Sequence, residues 1–252
     1  MVRDTVAVWV YTVVRDADPV PAISGVSGEP TRWVGACGLA AVVGSVPLPE
    51  FGAEALQRNL NDLDRLAAIA RDHNAVIETV AASRPALPVR LAVLCRDDDG
   101  VRALLTERNS DLDAALTLVD GRAEWGVKAF LRRPPSQEQR SRPASGADYL
   151  RRRRDALRRD HIDRAAAERA AAELFQGLSP YTVGARRRTL TDNSLTGRDT
   201  PMLLNAAYLV DNAKVTEFRA AVTRFADHPD LIVEQTGPWP PYSFVGALGD
   251  PR

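Results

Sequence analysis

The stretch TVAVWVYTVV, residues 5–14, carries β-branched and aromatic side chains at almost every position and offers no polar alternate face. A strand of that composition fits only where both faces of a sheet are covered, so it predicts a central strand between packed layers. Proline, glycine and serine cluster over residues 16–30. TRWVGACGLAAVVGSV (31–46) then resumes the β pattern, interrupted at Gly35 and Gly38, which predicts two short strands and a turn.

From residue 61 to 83 the period changes. Leu63, Leu66, Ala70, His73, Ile77 and Val80 recur at spacings of three and four, the mark of an amphipathic helix seated on a sheet. Pro85 and Pro88 end it, and PVRLAVLC (88–95) predicts another strand. In RDDDGVRALL (96–105) acids precede an apolar periodic run, as at a helix start, where carboxylates complement exposed amides. GRAEWGVKAFL (121–131) predicts the strand that completes this first unit. The order β-β-β-α-β-α-β gives an α+β class with an N-terminal ferredoxin-like α/β sandwich over residues 1–131.

RRPPSQEQRSRPASG (132–146) has no apolar periodicity and is expected to be a flexible linker or loop. The second domain, 147–252, opens with a long alanine- and arginine-rich helix over 147–177. Its apolar positions, Leu150, Leu157, Ile162, Leu174 and Phe175, form only a thin stripe. YTVGARRRTL, PMLLNAAYLVD, a helix over 214–227 and LIVEQTGPWPPYSFV then give a β-β-α-β unit. The final strand carries Pro238, Pro240 and Pro241, which suit a sheet edge because proline lacks the ladder donor. Trp239, Tyr242 and Phe244 are expected to anchor that strand to its own core.

Several function classes are excluded by what the chain contains. In 252 residues, 45% apolar and 26% charged, the 33 basic and 33 acidic side chains cancel, so no global field draws nucleic acid or an anionic surface. Cys37 and Cys95 form no CxxC pair, which fits a reduced cytosol, and no apolar run reaches membrane-spanning length. There is no phosphate-binding glycine loop, GxSxG elbow or HExxH. His73, His161 and His228 lie on separate elements, and His73, on an apolar helix seam, reads as a hydrogen-bonded core residue. Asp97, Asp98 and Asp99 read as helix-capping acids rather than cation ligands. The arginines of 151–159, interleaved with Asp155, Asp160 and Asp163, read as a solvated helix face, with a protein-docking face as the rival. Glu124, Gly126 and Lys128 would share one strand face and Trp125 and Val127 the other. That leaves a structural tryptophan with an exposed Glu124–Lys128 pair and a binding role equally open.

Taken in order, VWVYTVV, GLAAVVGSV, RDHNAVIETV, PVRLAVLC, GRAEWGVKAF, NAAYLVD and TGPWPPYSFV resemble the gas vesicle protein F/L family (GvpF/GvpL) over nearly the whole chain. EWGVK and TGPWPPYSF are the most distinctive pieces. The resemblance implies a non-enzymatic accessory protein of gas vesicle formation, cytoplasmic and gas vesicle associated. It would bind the small hydrophobic shell protein and other gas vesicle accessory proteins, with no cofactor, nucleic acid or membrane partner. It implies two α+β domains, the first a ferredoxin-like variant. One departure stands out: relatives tend to read Pro-Leu-Arg-Phe-Gly-Thr where this chain has Pro88, Val89, Arg90, Leu91, Ala92 and Val93. The candidate partner-binding or structural residues are Glu124, Trp125, Lys128, Arg90, Trp239 and Tyr242. From the other class of function, the alternative is an α+β small-molecule-binding or catalytic protein that uses an open sheet face.

Overall fold

The structure, a computed structural model, describes residues 5–15, 23–52, 55, 62–132, 145–190 and 200–246. Two compact units emerge, Met1–Ala123 with Pro240–Arg252, and Glu124–Trp239. In the first, β1 (Val6–Arg15) pairs antiparallel with β3 (Leu39–Pro47), and β3 pairs with β2 (Arg32–Ala36). Cys37 and Gly38, both at positive φ, form the expected turn between β2 and β3. On its other side β1 meets β4 (Leu87–Pro88) and β5 (Leu94–Cys95).

Every residue of β1 from 7 to 14 is buried, as its composition demands. One face sends Val8, Val10 and Val13 against Val101 and Leu105 of α3 (Asp98–Glu107) and Leu112 and Leu116 of α4 (Asn109–Val119). The other sends Trp9, Tyr11 and Val14 against Ile69, Val76, Ile77 and Val80 of α2 (Leu63–Ala81). A bulge between Val10 and Thr12 shifts the alternation, so Val13 returns to the face of Val10. Each such side chain contributes about 1.5–3 kcal/mol by leaving water.

The face toward α2 carries two polar networks. The Trp9 indole N–H donates to His73 Nδ1 at 3.0 Å, and His73 Nε2 lies 2.9 Å from the Val89 carbonyl. Both contacts are satisfied when the ring is neutral with its proton on Nε2, donating to Val89. The Tyr11 hydroxyl donates to Glu29 and accepts from the Val26 amide, while the other Glu29 oxygen accepts from the Ser27 amide and hydroxyl, each at 2.8 Å. Gly44 makes room for that carboxylate: a Cβ there would lie 2.0 Å from Glu29 Oε1. Burial first, then the Glu29 hydrogen bond, pushes the Tyr11 phenol far above its ordinary pKa.

PVRLAVLC is not one continuous strand. Ala92 has φ +69°, the left-handed region that favours glycine, and the chain bulges away from β1 between β4 and β5. Two bonds still hold its ends, Val89 N–H to the Tyr11 carbonyl and Val10 N–H to the Val93 carbonyl, both 3.0 Å. A single helix was also expected after Asp97; α3 and α4 break at Arg108 instead.

The second unit holds β6 (Arg122–Leu131), α5 (Gly146–Gly177), β7 (Gly184–Arg187), β8 (Met202–Asp211), α6 (Val215–Thr223) and β9 (Leu231–Trp239), with strand order β7-β8-β6-β9. This is the ferredoxin-like β-α-β-β-α-β order. The expected boundary after residue 131 is therefore corrected: β6 pairs with β9, so residues 124–131 complete the second sheet, not the first. Phe218 of α6 lies 5.5 Å from Tyr208 and 6.3 Å from Trp125, while Phe175 of α5 lies 5.8 Å from Tyr208. The linker expected at 132–146 falls mostly on residues 133–144, outside those described.

Burial holds the His73 pKa below its ordinary 6.5. The unfolded chain therefore binds this proton first on acidification, so the stability His73 contributes is full above about pH 6.5 and is lost as pH falls toward the folded value. His73→Gln should flatten the stability slope between about pH 7 and 5; equal slopes in urea titrations of both proteins would refute the assignment. Ala92→Gly should raise stability by about 0.5–1 kcal/mol, because relief of the left-handed strain outweighs the added chain entropy. A lower urea midpoint for that variant would refute it.

Candidate functional site

The two most distinctive sequence pieces, EWGVK and TGPWPPYSF, meet across β6 and β9. Their register is irregular: Glu124 lies opposite Trp239 and Gly126 opposite Thr236, so Trp125 alone faces Gly237 and Pro238, a bulge on β9. Both strands supply a glycine where the other chain approaches. A Cβ on Gly126 would lie 2.6 Å from Thr236 Oγ1, and one on Gly237, whose φ is +120°, would lie 2.9 Å from the Glu124 carbonyl and 3.2 Å from the Trp125 ring.

Trp125 is buried with Val127 on the helix side of the sheet, the structural arrangement considered above. Its indole N–H has no hydrogen-bond partner among the described residues. The exposed Glu124–Lys128 pair is not formed. Glu124 is only 3% exposed and makes an ion pair with Arg188, which follows β7, while Lys128 is half-buried opposite Glu234. Within the run 186–188 nothing local in the sequence marks Arg188 as the arginine that turns inward. Arg90 is exposed on the bulge between β4 and β5, one residue after the carbonyl that holds His73.

The closing segment divides. β9 is an edge strand among those described, as its prolines predict; it contains Pro238 and ends at Trp239, which is 48% exposed. The chain from Pro240 belongs to the first unit. There the Tyr242 hydroxyl donates to Asn74 Oδ1 at 2.7 Å, its ring packs on the α2-side core, and Phe244 is buried. The expectation that Trp239, Tyr242 and Phe244 anchor the strand to its own core is corrected. Tyr242 packs within the first unit, Phe244 lies buried beyond the strand's end, and Trp239 is half-exposed.

Asp97 caps α3 through the Gly100 amide, Asp98 pairs with Arg32 and Asp99 with Arg102. His228 Nδ1 accepts from the Asp230 amide, and His161 is exposed on α5. Among the described residues no group of three His, Cys, Asp or Glu side chains could hold a metal, and no helix is long and apolar enough to cross a membrane.

Gly237→Ala should cost about 1–3 kcal/mol, since the backbone of Glu124 cannot yield to the new methyl and the φ is strained. Trp239→Ala, at an exposed site, should change stability by less than about 1 kcal/mol. Chemical denaturation of both variants tests the contrast; a larger loss for Trp239→Ala would place that ring in the core.

The family described as gas vesicle synthesis protein GvpL/GvpF matches residues 7–246. Gas vesicle protein L of Streptomyces sp. (strain CB03234) is 41% identical over 94% of this chain and 92% of its own length. Gas vesicle protein F2 of Halobacterium salinarum is 26% identical over 94% and 91%. The crystal structure of GvpF from Anabaena sp. PCC7120 superposes with a TM-score of 0.68 over 98% of this chain and 99% of that one, at 17% identity. GvpF from Microcystis aeruginosa gives 0.64 over 95% and 99%, at 19% identity. At those identities the two structures establish the α+β fold with two antiparallel sheets. The family's members act in gas vesicle synthesis and are not enzymes. The match along almost the whole chain, with the EWG and TGP pieces interlocked at one strand junction, makes this protein a member of the GvpL/GvpF family.

Proposed function

We propose that this protein is a cytoplasmic assembly factor of gas vesicle formation that binds the small hydrophobic shell protein and other gas vesicle proteins. A wall built from small apolar subunits needs those subunits covered before they join it, because large exposed apolar patches aggregate. The observation that carries the reading is Trp239, a half-exposed indole at the end of an edge strand. From Ile232 onward every β9 residue is half-buried or exposed. An aromatic anchor beside an open strand edge suits capture of an extended apolar segment, with the edge supplying backbone bonds and the ring supplying contact area. Lys128 lies on the neighbouring strand and Glu124 and Trp125 hold the junction, while Tyr242 and the exposed Arg90 belong to the first unit.

Co-expression with the shell protein should raise the soluble shell fraction and allow the two to be recovered together. Trp239→Ser should reduce both by several-fold, with the urea midpoint unchanged. An unchanged soluble fraction with the unaltered protein would end the proposal; full activity of Trp239→Ser would move the contact elsewhere on the surface.

A further inference from the structure

We infer that the N-terminal half of α5 is a docking surface for an acidic amphipathic helix. α5 runs for 32 residues, about 48 Å at 1.5 Å per residue. Its C-terminal half is held by Ala167, Ala170, Ala171 and Leu174, all buried. Its N-terminal half is not: every described side chain from 150 to 164 is exposed except the half-buried Ala156. A helix exposed around its whole circumference gains nothing from tertiary packing, which is where most helical stability in proteins arises.

Three large apolar side chains stand on this bare stretch, Leu150 at 67% exposure, Leu157 at 58% and Ile162 at 55%. Leu150 and Leu157 are seven residues apart and so lie along one line of the helix, with Arg154 between them. Arg153 and Arg158 flank that line, with Arg151 beside Arg158, against Asp155 and Asp163 as the described acids; Arg164 pairs with Glu168. An apolar line in a positive field matches a helix whose own apolar stripe is flanked by glutamate or aspartate. A second copy of this chain would set arginine against arginine. Nucleic acid makes no use of the leucine line, and over residues 146–164 Tyr149 is the one phenylalanine, tyrosine or tryptophan that could stack on a base. For a lipid surface the apolar area, two leucines in line, is small. This surface is distinct from the β9 edge, and the inference stands whether or not that edge binds the shell protein.

The test uses the full chain and a labelled helical peptide of about three heptads, with leucine at a and d and glutamate at e and g. Fluorescence anisotropy should show micromolar binding that weakens about tenfold between roughly 50 and 300 mM salt. Leu150→Ser with Leu157→Ser should weaken it about tenfold through lost apolar contact. Arg151→Glu, Arg154→Glu and Arg158→Glu together should abolish it and transfer binding to the lysine counterpart of the peptide. Circular dichroism and urea midpoints confirm that these surface variants fold. The inference is overturned by no binding, by equal binding of the lysine peptide to the unaltered chain, or by indifference to both variant sets. It is equally overturned if vesicles with about one-third anionic lipid bind while the peptide does not, or if the leucines support only self-association in sedimentation.

Discussion

The burial of β1 on both faces is the constraint from which the first unit follows. A strand with Trp9 and Tyr11 on one side and Val8, Val10 and Val13 on the other leaves no face for water, so helices must close both sides. Two closely spaced aromatic polar groups then have to be satisfied inside. His73 does this for the Trp9 N–H, and Glu29 does it for the Tyr11 hydroxyl. Each partner comes from a distant part of the chain, so satisfying the strand also fixes α2 and the loop before β2. An unpaired N–H at Trp9 would cost about 1–3 kcal/mol, enough to make the histidine a structural requirement.

The second unit solves a different problem, the close approach of two strands that each carry a bulky tryptophan. Gly126 yields to Thr236, and Gly237 yields to Trp125 and the Glu124 backbone. The same irregular register turns Glu124 inward, where Arg188 reaches it across β8. Charge inside the sheet is thus a consequence of local geometry, not a sign of chemistry. The edges are treated unequally. β7 is short and ends in arginines, features that discourage pairing with other chains, whereas β9 is long and is limited only by Pro238 near its end. That asymmetry is what directs the proposed partner contact to β9 and its Trp239.

Reading the chain by its residues alone captured what depends on near neighbours. The strand at residues 5–14, the cap at Asp97, the core histidine at position 73 and the edge position of the proline-bearing strand each have a local cause: side-chain shape, short-range hydrogen bonding, helical spacing or a missing amide. The errors lie where a distant partner decides. Glu124 alternates with Trp125 as if exposed, and only the register against β9 buries it. Trp239 looks like a core aromatic until the strand's end places it in solvent.

The amino-acid sequence by itself determined the α+β class, the central strand, the long thinly apolar helix and the family, because composition, periodicity and ordered motifs are properties of contiguous residues. Only the tertiary structure decided which sheet receives residues 124–131, that the tail from Pro240 returns to the first unit, and that Arg188 and Gly237 shape the junction. Strand pairing is made between segments about a hundred residues apart, and the free energy that selects one pairing over another resides in close packing and desolvation. Neither quantity exists until the chain has folded.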